Sequence, residues 1–182
     1  MRIQAVLAVL VGALASSSAG AGDWPPPVTP VIPAADGYVA IPGAAVPPEP
    51  AATYRAIFDA NQGAAKPSQL VPAINQVGSE LNALAAAGVP LSHAKFAVVF
   101  HGAAMSGLLD DAHYRTRFGV PNPNLAVLNQ LAKAGVELLV CGQNVAADKL
   151  DPRTLAPEVR IASDALIVLM TYQSKGYALL SF

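Results

Sequence analysis

The chain has 182 residues, of which 53% are hydrophobic and 13% charged, against about 25% charged in an average soluble domain. That length suits one domain or at most two. Eleven Lys and Arg against 12 Asp and Glu give a net charge of −1, which excludes the clustered basic surface of a nucleic-acid binder. A single cysteine excludes an intrachain disulfide framework and the multi-cysteine zinc sites.

At the N-terminus, Met1-Arg2-Ile3-Gln4 precedes an apolar run over residues 5–15, then Ser16-Ser17-Ser18 and Ala19-Gly20-Ala21. A positive start, a short apolar stretch and a small-x-small triplet are the parts of a secretory signal peptide. Residues 1–21 are therefore expected to be a cleaved leader, with a weaker alternative cut after Ala19. The apolar run is short for a bilayer span, and no later run reaches that length. The mature chain is expected in the periplasm or outside the cell, with no membrane span.

Residues 22–50 carry nine of the sixteen prolines, including Pro25-Pro26-Pro27 and Pro47-Pro48. Proline fixes φ and cannot donate to a ladder, so this stretch reads as an extended arm or linker. Residues 51–182 read as the folded domain. Alternation over residues 54–58 predicts a strand. Leu70, Ile74, Val77, Leu81 and Leu84 recur at helical spacing, with Pro72 tolerable in the first turn and Gly88 placed to end the helix. The unbroken apolar run Phe96-Ala97-Val98-Val99-Phe100 fits a strand buried on both faces. Residues 108–118 form a polar, partly helical excursion. Asn122-Pro123 supplies a cap and a first-turn proline for a helix carrying Leu125, Leu128 and Leu131, which Gly135 ends.

Residues 136–140 predict another strand, followed by Cys141-Gly142 and a short helix to about Lys149. Residues 159–161 fit a short strand. Residues 165–170 are apolar enough for strand or helix; Ser163 as cap and Gly176 as terminator favour helix. Residues 177–182 close with a strand. Strands alternating with helices require crossovers, hence an α/β fold: a mostly parallel five-stranded sheet with helices on both faces. Such sheets bind ligands beyond the carboxyl ends of their strands. Asp59-Ala60-Asn61, His101-Gly102 and Cys141-Gly142 all fall at that edge.

Cys141 is the sharpest candidate for chemistry. A thiol between a strand and a helix N-terminus meets the positive end of the helix dipole, which favours the thiolate; a free cysteine also serves as a small buried apolar residue. His101 ends the neighbouring strand and is placed to act as base, acid or anion partner, or to bond backbone there. Asn61, Gly102, Gly142 and Gln143 are candidate pocket residues along the same edge. Asp110, Asp111 and His113 offer one imidazole and two adjacent carboxylates, which fits a solvated loop better than a metal site. Arg115 and Arg117 read as anion contacts or surface charges. No dinucleotide, Walker A or nucleophile-elbow motif occurs, and no cofactor or metal is expected.

Three stretches together resemble the DsrE/DsrF-like (DsrEFH, YchN-like) family. They are Gly135-Val136-Glu137-Leu138-Leu139-Val140-Cys141-Gly142-Gln143, Phe96-Ala97-Val98-Val99-Phe100-His101-Gly102, and Gln173-Ser174-Lys175-Gly176-Tyr177-Ala178. The resemblance covers roughly residues 53–182. It implies a parallel sheet between helices, a homotrimer or homohexamer, and, by similarity to the sulfur-relay members, a persulfide carried on Cys141 with a sulfur donor or acceptor protein as partner. The competing expectation is a non-catalytic oligomeric module binding a small ligand or metal ion at the Cys141/His101 edge.

Overall fold

The computed structural model of the chain describes residues 24–182, and the expected leader lies outside the described residues. Five strands form one parallel sheet in the order β4-β3-β2-β1-β5. They are β1 (Tyr54–Ala60), β2 (Ala94–Phe100), β3 (Glu137–Cys141), β4 (Arg160–Ala162) and β5 (Ala178–Ser181). The apolar run of β2 lies at the centre, and Lys95 is its one exposed residue. The chain steps outward from β1 to β4 and then returns to the far side of β1, so the strand order reverses between β1 and β5.

One face of the sheet is covered by α1 (Pro72–Ala86), α3 (Asn124–Lys133) and the short α4 (Gly142–Ala147). Their apolar faces, among them Ile74, Val77, Leu81, Val127, Leu128, Leu131 and Val145, pack on Phe58, Phe96, Val98, Phe100, Leu138 and Val140 in the main core. The outer helix α2 (Asp111–Phe118) buries only Tyr114. The opposite face carries α5 (Ala165–Ser174), whose Ala165, Val168 and Leu169 cover Ile57, Ala97, Val99, Leu139 and Cys141. Strand alternation sends successive side chains to opposite faces, and it sorts the sheet residues into these two clusters.

Two helix starts sit one residue later than the sequence suggests. For α5 the cap is Asp164 and not Ser163: its carboxylate accepts from the backbone N–H groups of Leu166 at 2.7 Å and Ile167 at 3.2 Å. The Ser163 carbonyl is instead taken by the Gln143 side chain at 3.2 Å. For α3 the helix begins at Asn124. Asn122 still does a capping job, because its Oδ1 accepts from the Asn124 N–H at 2.9 Å, while its Nδ2 donates to the Gly107 and Leu109 carbonyls.

The proline-rich stretch departs most from its reading as an extended arm. Val28 and Tyr38 form an antiparallel bridge, and the bend between them seats Ile32, fully buried, in the main core. The seat is built by α1. The fully buried Asn82 accepts from the Val31 and Ile32 N–H groups at 3.1 and 2.8 Å and donates to the Ile32 and Asp36 carbonyls. One turn earlier, Gly78 lets Ala35 approach so closely that a Cβ there would collide with the Ala35 methyl. The prolines deprive the segment of ladder bonds, and asparagine side chains on α1 satisfy its polar backbone instead.

Candidate functional site

The carboxyl edge of the sheet gathers residues from four strands. On the α5 face, Val99 of β2 is level with Leu139 of β3, and on the opposite face Phe100 is level with Val140. His101 keeps an extended backbone and donates its N–H to the Ala60 carbonyl at 2.9 Å. The next step of the ladder therefore brings His101 level with Cys141, both on rows that face α5. Asp59 follows Ile57 on the same face of β1.

The imidazole of His101 is turned towards β1. Its Nε2 lies 2.7 Å from Asp59 Oδ1, with side-chain exposures of 25% and 16%. The other Asp59 oxygen accepts from the Ser181 hydroxyl at 3.1 Å. An ionised Asp59 accepts from Nε2–H, and that tautomer leaves Nδ1 as the acceptor or base of the ring. The Asp59–Ser181 contact falls where strand order reverses between β1 and β5, the place at which open α/β sheets form ligand crevices. Asp59 and Ser181 were missed as site residues. The pairing joins residues 122 positions apart, and nothing local in the sequence signals it.

Cys141 closes β3 and is 4% exposed. Its Sγ accepts from the backbone N–H of Ala165, the first residue of α5, at 3.4 Å. Gly142 is needed for lack of a side chain rather than for a special φ: a Cβ there would lie 2.5 Å from the Ala162 carbonyl oxygen of β4. The close approach of β4 fixes where the thiol sits. No hydrogen bond joins Cys141 to His101 among the described residues.

The other expected edge residues take backbone-holding roles. Asn61 donates its N–H to the Phe182 carbonyl at 3.0 Å. The Gly102 N–H is taken by the Asn144 side chain at 3.2 Å, which ties the end of β2 to α4. Gln143 reaches the Ser163 carbonyl. Asp110 caps α2, and the backbone N–H of His113 holds its carboxyl below the usual range. Asp111 is lowered chiefly by Arg115, whose Nε lies 2.6 Å from its Oδ2. No group of three potential metal ligands occurs among the described residues, and no described helix is long and apolar enough to cross a membrane.

Comparison with known proteins agrees with this architecture. The family model described as DsrE/DsrF-like matches residues 54–182. The solved structure of the protein of unknown function MTH1491 from Methanobacterium thermoautotrophicum is similar with a TM-score of 0.53 at 20% identity. The match covers 71% of this chain and 99% of that one, and at this identity it speaks to the fold alone. No curated protein sequence matches the chain.

Proposed function

From the premise that the chain belongs to the DsrE/DsrF-like family, we propose that it is an exported, oligomeric sulfur carrier that holds a persulfide on Cys141. The observation that carries this reading is the placement of the one cysteine: at the carboxyl end of a central parallel strand, its sulfur facing the first N–H of α5. In the reaction, the Cys141 thiolate attacks the outer sulfur of a donor persulfide. The donor S–S bond breaks, the donor leaves as a thiolate, and Cys141 holds the transferred sulfur. An acceptor nucleophile then takes that outer sulfur and restores the thiolate. The Ala165 N–H offers a donor to the anionic sulfur at both stages.

Burial sets a condition on this chemistry. With Cys141 at 4% exposure, a donor reaches Sγ only when the N-terminal turn of α5 draws back. The same burial favours a second reading, in which Cys141 is a packing residue and the Asp59–His101–Ser181 cluster binds a small ligand. Iodoacetamide labelling of the folded protein separates the two. The carrier reading expects alkylation under native conditions, with a rate-against-pH profile that changes in His101→Ala and, in the same direction but less, in Asp59→Asn. Labelling only after denaturation would leave the second reading standing.

The oligomer rests on α5 and the sheet edge beside it. Leu166, Ile167 and Met170 are 65%, 52% and 62% exposed, and Leu179 of β5, level with Ile57 on the same face, is also exposed. A helix apolar on both its buried and its outer faces is suited to burial on both sides. A homotrimer or homohexamer covering this face is expected by light scattering, and Met170→Glu is expected to dissociate it. A wild-type monomer at micromolar concentration would contradict the assembly.

A further inference from the structure

The two edges of the sheet are built differently. At one edge β4 is three residues long, follows Pro157-Glu158 in sequence, and carries Arg160, whose guanidinium reaches Glu137 at 2.7 Å. Shortness, proline and charge are the features that keep an edge strand from pairing with another chain. At the other edge β5 reads Ala178-Leu179-Leu180-Ser181, with no charge and no proline, and all four residues are exposed.

The backbone beyond β1 divides between its two sides. Phe182 donates its N–H to the Asp59 carbonyl at 3.0 Å and accepts from the Asn61 N–H at 3.0 Å, so its polar groups face β1. In a parallel pair alternate residues bond the same neighbour. Ala178 and Leu180 therefore bond towards β1, and the N–H and C=O groups of Leu179 and Ser181 point outward. Among the described residues those outward groups have no partner. The side chains alternate as well. Leu180, level with Phe58 of the main core, stands on the α1 face, and Leu179, level with Ile57, on the α5 face. On the α1 side a groove of about 440 Å³ runs beside β5, bordered by Leu180, Tyr54, Pro48 and Val46, and Val46 is 90% exposed.

An antiparallel copy of β5, related by a two-fold axis through Leu180, uses every one of those groups. Leu179 then stands opposite Ser181 of the partner copy, and Ser181 opposite Leu179 of the partner copy. Both members of each pair have outward groups, the condition for an antiparallel pair that exchanges N–H···O bonds in both directions. Leu180 meets its own copy at the axis as the intervening pair without hydrogen bonds, about 4.5 Å between Cα atoms, as its inward-bonded backbone requires. Moving the axis to Leu179 would set Ser181 against Tyr177, whose N–H is already given to the Tyr172 carbonyl. The edge is thus complementary to itself about Leu180, as an isologous contact requires.

We propose that β5 pairs antiparallel with β5 of a second copy of this chain about a two-fold axis at Leu180, joining two sheets into one. Apolar flanks add to the backbone bonds. Leu180 packs on its counterpart on the α1 face, next to Val46 and the groove. On the α5 face, Leu179 of the partner copy stands beside Ser181, whose hydroxyl holds Asp59 at 3.1 Å. The second copy thereby adds a side chain next to the Asp59–His101–Ser181 cluster. The contact deepens the oligomer proposed above by adding a two-fold interface to the α5 one, which turns a homotrimer into a homohexamer. It does not depend on sulfur transfer.

Native mass spectrometry of the full chain reads the number of chains in the assembly. An even number is expected: a homohexamer, or a dimer where the α5 contact fails and this one holds. Leu180→Lys and Leu180→Glu each set like charges opposite one another at the axis and halve the assembly. An equimolar mixture of the two variants restores it, because lysine then faces glutamate, and misfolded chains would give no such rescue. Hydrogen exchange gives a second reading: the amides of Leu179 and Ser181 are protected in wild type and exchange faster in Leu180→Lys alone. A wild-type trimer would leave the α5 contact standing and overturn the pairing. A wild-type monomer, an assembly unchanged in both single variants, or a mixture that stays dissociated would overturn it as well.

Discussion

A chain beginning at Ala51 is expected to lose much of its stability, because the segment it lacks fills part of the core. Ile32 is fully buried against α1. Truncating a buried isoleucine to alanine costs about 2–5 kcal/mol, a large share of the roughly 5–15 kcal/mol that holds a domain folded. Removing the whole segment also strips Asn82 of its four bonds to residues 31–36 and opens the hollow beside Gly78 that Ala35 fills. Water would reach Asn82 after truncation, so most of the loss is expected from the apolar contacts. Ile32→Ala measures that part alone. Asn82→Ala leaves the Val31 and Ile32 N–H groups without partners, at about 1–3 kcal/mol for each group that stays buried. Denaturant unfolding of the truncation and of both variants reads these losses as a lower midpoint. A truncated chain with the midpoint of the full chain would show that the segment is an accessory.

Cys141→Ser is expected to abolish sulfane-sulfur binding and to keep the fold. The chain has no other cysteine, so no second thiol exists to carry the sulfur. Serine is nearly isosteric, and its hydroxyl inherits the Ala165 N–H that now points at Sγ. The cost is placing a hydroxyl in the apolar cluster of Ile57, Val99, Leu139, Val168 and Leu169; burying a polar group costs about 1–3 kcal/mol by mutational measures. Cold cyanolysis after exposure to polysulfide is expected to release thiocyanate from wild type and none from the variant, with the variant's melt still cooperative. Equal release from both would place the sulfur elsewhere than on the cysteine.

The sheet was legible because its signals are local. An unbroken apolar run marked β2, helical spacing marked α1, and alternation of strands with helices required parallel crossovers. The edge bearing His101 and Cys141 followed from strand ends alone. What was not legible depends on residues distant in sequence. The proline-rich stretch reads as unbonded because its partners are side chains on α1, about 50 positions away for Asn82. Asp59 was visible at the edge, but not as the partner of His101, since backbone register fixes the row while the ring's rotation is set by packing. The burial of Cys141 was hidden for a similar reason: the helix that covers it is apolar on both sides, so its sequence does not say which side faces the sheet.

The central claim is that Cys141 takes up sulfur in the folded protein. The most direct measurement is intact-protein mass spectrometry under non-reducing conditions, after the native full chain has been exposed to polysulfide and washed. A gain of one sulfur atom per chain, mapped to Cys141 and removed by a thiol reductant, is the predicted result. An unmodified thiol in the folded protein, gaining sulfur only once unfolded, would contradict the account and make Cys141 a residue of the core.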